Sequence, residues 1–179
     1  MNLPNKLTVV RVILIPFFVF FLLLRGGRGT DLAALFIFVI ASLTDWFDGR
    51  IARKYGLITD FGKFMDPLAD KLLVCSALIC FVELGRLPAW IVVIIISREF
   101  IISGFRLIAA DNGVVIAAGI WGKFKTVSQM VMIIMLLADT DRLLNKTLVN
   151  TVIGIAVVLT VVSLIDYLYK NRDVMKEQK

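Results

Sequence analysis

Four aspartates carry the chemistry that this sequence makes available. Asp45 and Asp48 stand three residues apart, and Asp66 and Asp70 four apart, in DWFDGRIARKYGLITDFGKFMDPLAD. At 3.6 residues per turn each pair shares one helix face. The first face also holds Gly49 and Ala52 and the second Gly62, small residues that let a helix or a ligand approach the carboxylates. A short polar connection from Tyr55 to Asp60, with Gly56 as a stop and Thr59 or Asp60 as a cap, predicts a helical hairpin with both acidic pairs at one end. Carboxylates that close repel one another and do not all stay ionised without cations. The chain has no histidine, and its two cysteines, Cys75 and Cys80, lie in an apolar stretch as reduced packing residues. Oxygen is then the available ligand type, which selects a hard divalent ion, Mg²⁺ or Mn²⁺. Salt bridges to Arg50, Arg53, Lys63 and Lys71 are the plainer use of these charges, but two facing pairs exceed what pairing requires. Two ions about 4 Å apart suit movement of a phosphoryl group between oxygens.

The elements that must position these residues are apolar helices. Of 179 residues 59% are hydrophobic, mean hydropathy is +0.89, and apolar runs of about 20 residues recur. This pattern is that of an all-α integral membrane protein. A net charge of +6 would suit nucleic acid in a soluble chain. Here Lys and Arg stand at segment ends, where they set topology and meet lipid headgroups, so no nucleic-acid partner is expected. Without histidine, a general base must be Asp or Glu.

Six transmembrane segments are predicted at about 8–24, 31–54, 61–84, 88–110, 119–138 and 147–169, in a single domain over 1–179. The first apolar run is too long for a signal peptide and reads as a retained membrane helix. Pro67 predicts a local kink between Asp66 and Asp70, and Gly104 and Gly154 read as helix-packing positions. Six spans put both termini on one side, with Lys6, Arg11, Arg50, Arg53, Lys54 and Lys63; the other side has Arg25, Arg28, Arg86, Arg142 and Lys146. That bias places the termini and the acidic hairpin in the cytoplasm. Arg98 and Arg106 are eight apart on the fourth segment, and Lys123 and Lys125 open the fifth. Together they form a pocket for an anionic acceptor, a phosphate. In the alternative, Arg98 pairs with Glu99 or a site carboxylate and the lysines mark the membrane boundary.

The pattern Asp45-x₂-Asp48-Gly49-x₂-Ala52-Arg53-x₈-Gly62-x₃-Asp66-x₃-Asp70 resembles the complete signature of the CDP-alcohol phosphotransferases. The resemblance implies six membrane helices, a cytoplasmic site in the plasma membrane, and a homodimer. It implies that Asp45, Asp48, Asp66 and Asp70 surround two divalent cations, Mg²⁺ or Mn²⁺, and that Asp70 is the general base on the acceptor hydroxyl. Gly49, Ala52, Arg53 and Gly62 would lie against the cytidine diphosphate of the donor. SREFIISGFR and GKFKTVSQ resemble the phosphatidylglycerophosphate-forming branch, which implies CDP-diacylglycerol as donor and sn-glycerol 3-phosphate as acceptor. LPNKLTVVR resembles the family's first segment, where Asn5, Thr8 and Arg11 approach the donor headgroup; a helix cap with an interfacial cation explains it equally. An inositol phosphate acceptor, hydrolysis of CDP-diacylglycerol, or divalent-cation transport are the competing functions. Transport fits worst, since no repeat is visible and the acidic residues gather at one end.

Overall fold

Six helices make up the fold, and no strand occurs among the described residues: α1 (Leu3–Leu23), α2 (Arg28–Tyr55), α3 (Asp60–Glu83), α4 (Ala89–Asp111), α5 (Ile120–Ala138) and α6 (Lys146–Lys170). The structure, a computed structural model, describes residues 3–24, 26–55, 60–111, 116, 119–139 and 144–172. Within these, the side chains at 3–4, 45–55, 60–64 and 111 are outside the description. The expected connection at 56–59, with Gly56 and Thr59, also lies outside it. Each helix coincides with one predicted segment. α1 and α2 begin earlier than expected, at Leu3 and Arg28, because hydropathy marks where a segment becomes apolar and the helix starts in the polar residues before that point.

Two compact units divide the chain. The first comprises α1, α2, α3 and the end of α5, with α1 packed against both α2 and α3. The buried stripe of α1 explains that packing. Asn5, Thr8, Arg11, Ile15, Phe18 and Leu22 recur at three- and four-residue spacing, polar in the first half and apolar in the second. Phe18 meets Phe38 of α2 with ring centroids 5.8 Å apart. α3 continues as helix through Pro67. It ends at Gly85, whose φ of +63° is the left-handed conformation that glycine adopts without strain. There Arg86 N donates to Phe81 O at 2.8 Å and Gly85 N to Val82 O at 3.0 Å, the paired bonds of a Schellman stop.

That stop delivers Arg86 to a buried ion pair. One of its guanidinium nitrogens binds Asp31 in the first turn of α2, and another donates to Leu136 O at the end of α5 at 2.9 Å. Three elements of the unit are thus fastened by one side chain.

The second unit comprises α4, the rest of α5, and α6. Asn145 caps α6, its side chain accepting from Thr147 N at 2.9 Å. α6 packs on α4 through a stripe of Ile153, Ala156, Thr160, Ser163 and Tyr167. Gly104 and Gly154, expected at packing positions, are exposed, and a Cβ on either would meet nothing within 4 Å among the described residues. Neither is needed for packing within the unit, because the stripe of α6 uses Ala156, Thr160 and Ser163 instead.

α1, α5 and α6 contain stretches long and apolar enough to cross a membrane: Asn5–Leu23, Ile120–Ala138 and Lys146–Lys170. Large apolar side chains face outward on all six helices, among them Phe17, Phe36, Ile79, Val93, Leu107, Val131 and Val158. A surface so apolar suits lipid rather than water. α4 falls outside the first group because Arg98, Glu99 and Arg106 interrupt its apolar run.

Removing one partner of a buried pair leaves the other charge uncompensated. Arg86→Met should therefore lower unfolding stability by about 3 kcal/mol, read as a shifted midpoint in chemical unfolding of the detergent-purified protein. The double variant Arg86→Met/Asp31→Leu should recover most of that loss. Equal losses in both proteins would contradict the role assigned to the pair.

Candidate active site

Two polar clusters stand out, one in each unit. In the first, α3 carries Asp66 and Asp70 one turn apart, both half-buried. Thr8 of α1 donates its hydroxyl to Asp66 Oδ1 at 2.5 Å, and Thr8 itself is fully buried. Asn5 and Arg11 lie one turn to either side on the same buried face. Arg11 is therefore no interfacial cation, and Asn5 lies within the helix rather than capping it. A guanidinium with no exposed surface requires anionic or hydrogen-bonding partners, and α1 packs against both α2 and α3.

Asp45, Asp48, Gly49, Ala52 and Arg53 lie along the last turns of α2, and Gly62 in the first turn of α3. Their side chains are outside the described residues. Of the four expected metal ligands, Asp66 and Asp70 have described side chains, and no group of three ligating side chains occurs among the described residues. The donor set fits a hard divalent cation: the ligand atoms on α3 are carboxylate oxygens, and Thr8 fixes one oxygen of Asp66. A hydrogen bond of this kind fixes the orientation of a carboxylate, as a cation site would require. Cys75 and Cys80, further along α3, are thiols, as expected of packing residues.

In the second unit, Glu99 of α4 binds two of the predicted acceptor cations. Its Oε1 accepts from Arg98 Nη1 at 3.1 Å and from Lys125 Nζ of α5. Arg98 Nε donates to Ser163 Oγ of α6 at 3.0 Å, and a Cβ on Gly122 of α5 would stand 3.6 Å from Arg98 Nη2. Three helices thus meet at one guanidinium. Arg98 and Lys125 are both buried. The cluster brings two cations and a carboxylate together at one place, the kind of charged group that can receive an anion. Arg106 sits elsewhere, exposed, with its guanidinium carbon 6.0 Å from the centre of the Tyr167 ring. Lys123 is exposed at the start of α5. The structure therefore joins Arg98 with Lys125 but not with Arg106 or Lys123. Sequence reading named Glu99 only as a competitor for Arg98. The unexpected feature is that it also holds Lys125, which follows from how α4 and α5 pack and leaves no mark in either helix's periodicity.

With this geometry in view, residues 1–162 match the family described as CDP-alcohol phosphatidyltransferase. A relative from Bacillus subtilis named CDP-diacylglycerol–glycerol-3-phosphate 3-phosphatidyltransferase is 44% identical, over 98% of this chain and 97% of its own length. One of the same name from Haemophilus influenzae is 42% identical, over 93% and 91%. A Mycobacterium tuberculosis protein carrying the name "Probable phosphatidylglycerophosphate synthase" is 41% identical, over 93% and 79%. The chain belongs to the CDP-alcohol phosphatidyltransferase family.

Thr8→Val keeps the shape of the side chain and removes the hydroxyl that holds Asp66. It should weaken Mn²⁺ binding to the purified protein about tenfold, measured by titration calorimetry, while Thr8→Ser stays near wild type. Unchanged Mn²⁺ affinity in the valine variant would show that the hydroxyl does not orient a ligand.

Proposed function

We propose that this chain transfers the phosphatidyl group of CDP-diacylglycerol to sn-glycerol 3-phosphate, yielding phosphatidylglycerophosphate and CMP in phospholipid biosynthesis. The observation that carries the reading is the Arg98–Glu99–Lys125 cluster with its two buried cations, which suits an anionic acceptor in a chain of this family. Asp45, Asp48, Asp66 and Asp70 would hold two divalent cations, Mg²⁺ or Mn²⁺. When bound, such ions neutralise a diphosphate and stabilise the departing phosphate oxygen.

The remaining roles fall to the chain's own groups. Arg98 and Lys125 bind the acceptor phosphate, with Glu99 holding both cations in place between turnovers. Arg106 and Lys123 contribute positive charge at the rim, which raises the local concentration of an anionic acceptor. The Asp70 carboxylate takes the proton from the acceptor's primary hydroxyl. The hydroxyl oxygen then bonds to the phosphatidyl phosphorus, the bond from that phosphorus to the CMP oxygen breaks, and CMP leaves with the electron pair. Gly49, Ala52, Arg53 and Gly62 form the donor surface, the small residues admitting the cytidine diphosphate and Arg53 adding charge against its phosphates.

The donor is an amphiphile, and the outward apolar faces of the helices support a chain embedded in the bilayer. In this reading all six helices span the plasma membrane as one catalytic domain, with the termini and the site on the cytoplasmic side and the chain paired as a homodimer. The positive-inside bias supports the orientation.

Purified protein in detergent, given CDP-diacylglycerol and Mg²⁺ or Mn²⁺, should release CMP with sn-glycerol 3-phosphate and not without it. Asp70→Asn should reduce that release by at least a hundredfold. Release without any acceptor would indicate a hydrolase, and release with inositol phosphate alone would move the acceptor assignment. Metal flux into vesicles without CMP release would favour transport.

A further inference from the structure

Gln129 is 3% exposed, yet its Oε1 has no hydrogen-bond partner among the described residues. A buried polar atom left in this state is costly, and native structures retain few of them without a use. Gln129 stands one turn beyond Lys125 on α5, so the two share a helix face. Lys125 is buried on that face and belongs to the cationic cluster around Glu99. An orphaned amide thus lies about 6 Å along the helix from a buried anion-binding group.

We infer that Gln129 is a specificity-determining residue that binds the acceptor's non-reacting hydroxyl; this rests on the acceptor reading above. The acceptor has three polar parts. Its phosphate is matched to Arg98 and Lys125, and its primary hydroxyl is the group that reacts. The secondary hydroxyl is the part that remains, and Gln129, buried one turn from Lys125, has an amide oxygen with no partner among the described residues. A hydroxyl suits an amide in particular, because it both donates and accepts and so satisfies whichever end the amide presents. A phosphate oxygen at neutral pH offers mainly acceptors and would leave Oε1 unsatisfied. An acceptor without the hydroxyl leaves the amide oxygen as unsatisfied as it is in the free protein and forgoes this hydrogen bond.

The test compares sn-glycerol 3-phosphate with 3-hydroxypropyl phosphate, which keeps the phosphate and the primary hydroxyl and lacks the secondary one. Wild-type protein should prefer the former at least tenfold in kcat/KM. Gln129→Met should bring that ratio close to one by raising KM for sn-glycerol 3-phosphate, with kcat/KM for the analogue and KM for CDP-diacylglycerol unchanged. Its thermal midpoint should be equal to or above wild type, because the substitution removes an unsatisfied buried group of similar size. An equal loss on both acceptors, or a lowered midpoint, would show that the amide serves structure and would overturn the inference alone. A wild-type protein that uses neither phosphate overturns the acceptor reading and this assignment with it.

Discussion

Charge repulsion among carboxylates inside an apolar protein is the constraint on which this structure depends. Aspartates on two neighbouring helices gain nothing from burial unless cations or hydrogen-bond donors meet them. The first unit supplies a buried answer to that need. One stripe on α1 begins with Asn5, Thr8 and Arg11 and ends with Ile15, Phe18 and Leu22. In the polar half Thr8 binds Asp66, and in the apolar half Phe18 packs on Phe38 of α2. One helix therefore both builds the unit and sets the acidic site, so the site's geometry is coupled to the packing. At a different point in the unit, Arg86 and Asp31 neutralise each other where Gly85 stops α3.

The second unit meets the opposite problem. Arg98 and Lys125 are buried cations, and the carboxylate of Glu99 keeps them from repelling one another. One carboxylate oxygen thus accepts from both cations. A buried charge network of this kind holds its members in fixed positions and remains responsive to an added anion. Ser163 on α6 extends the network to a third helix through the Arg98 Nε bond. The chemistry proposed for the chain needs this division, an acidic group of ligands for cations and a basic group for an anionic acceptor.

Much of this was legible in the sequence, for reasons that individual residues make plain. The apolar runs located all six helices, and the spacing of Asp66 and Asp70 placed them on one face of α3. Helix starts were less visible. α1 begins at Leu3 because Asn5 and Thr8 continue its buried stripe, although both are polar. Pairings between helices were not visible at all. Thr8 with Asp66, Asp31 with Arg86, and Glu99 with Lys125 join residues 58, 55 and 26 apart. They depend on the rotation and register of two helices, which neither helix's own periodicity specifies. Arg106 shows the converse. Eight-residue spacing suggested a shared role with Arg98, but the ring of Tyr167 beside Arg106 places it in a different environment.

The proposed chemistry requires the four aspartates to form one site for two divalent ions. Electron paramagnetic resonance of the purified protein titrated with Mn²⁺ tests it most directly, because two ions a few ångströms apart couple magnetically and a lone ion does not. Two Mn²⁺ per chain with a coupled spectrum are expected, reduced to an uncoupled signal or none when Asp66 is replaced by Asn. A single uncoupled ion in the wild-type protein, or binding indifferent to the loss of Asp66, would contradict it.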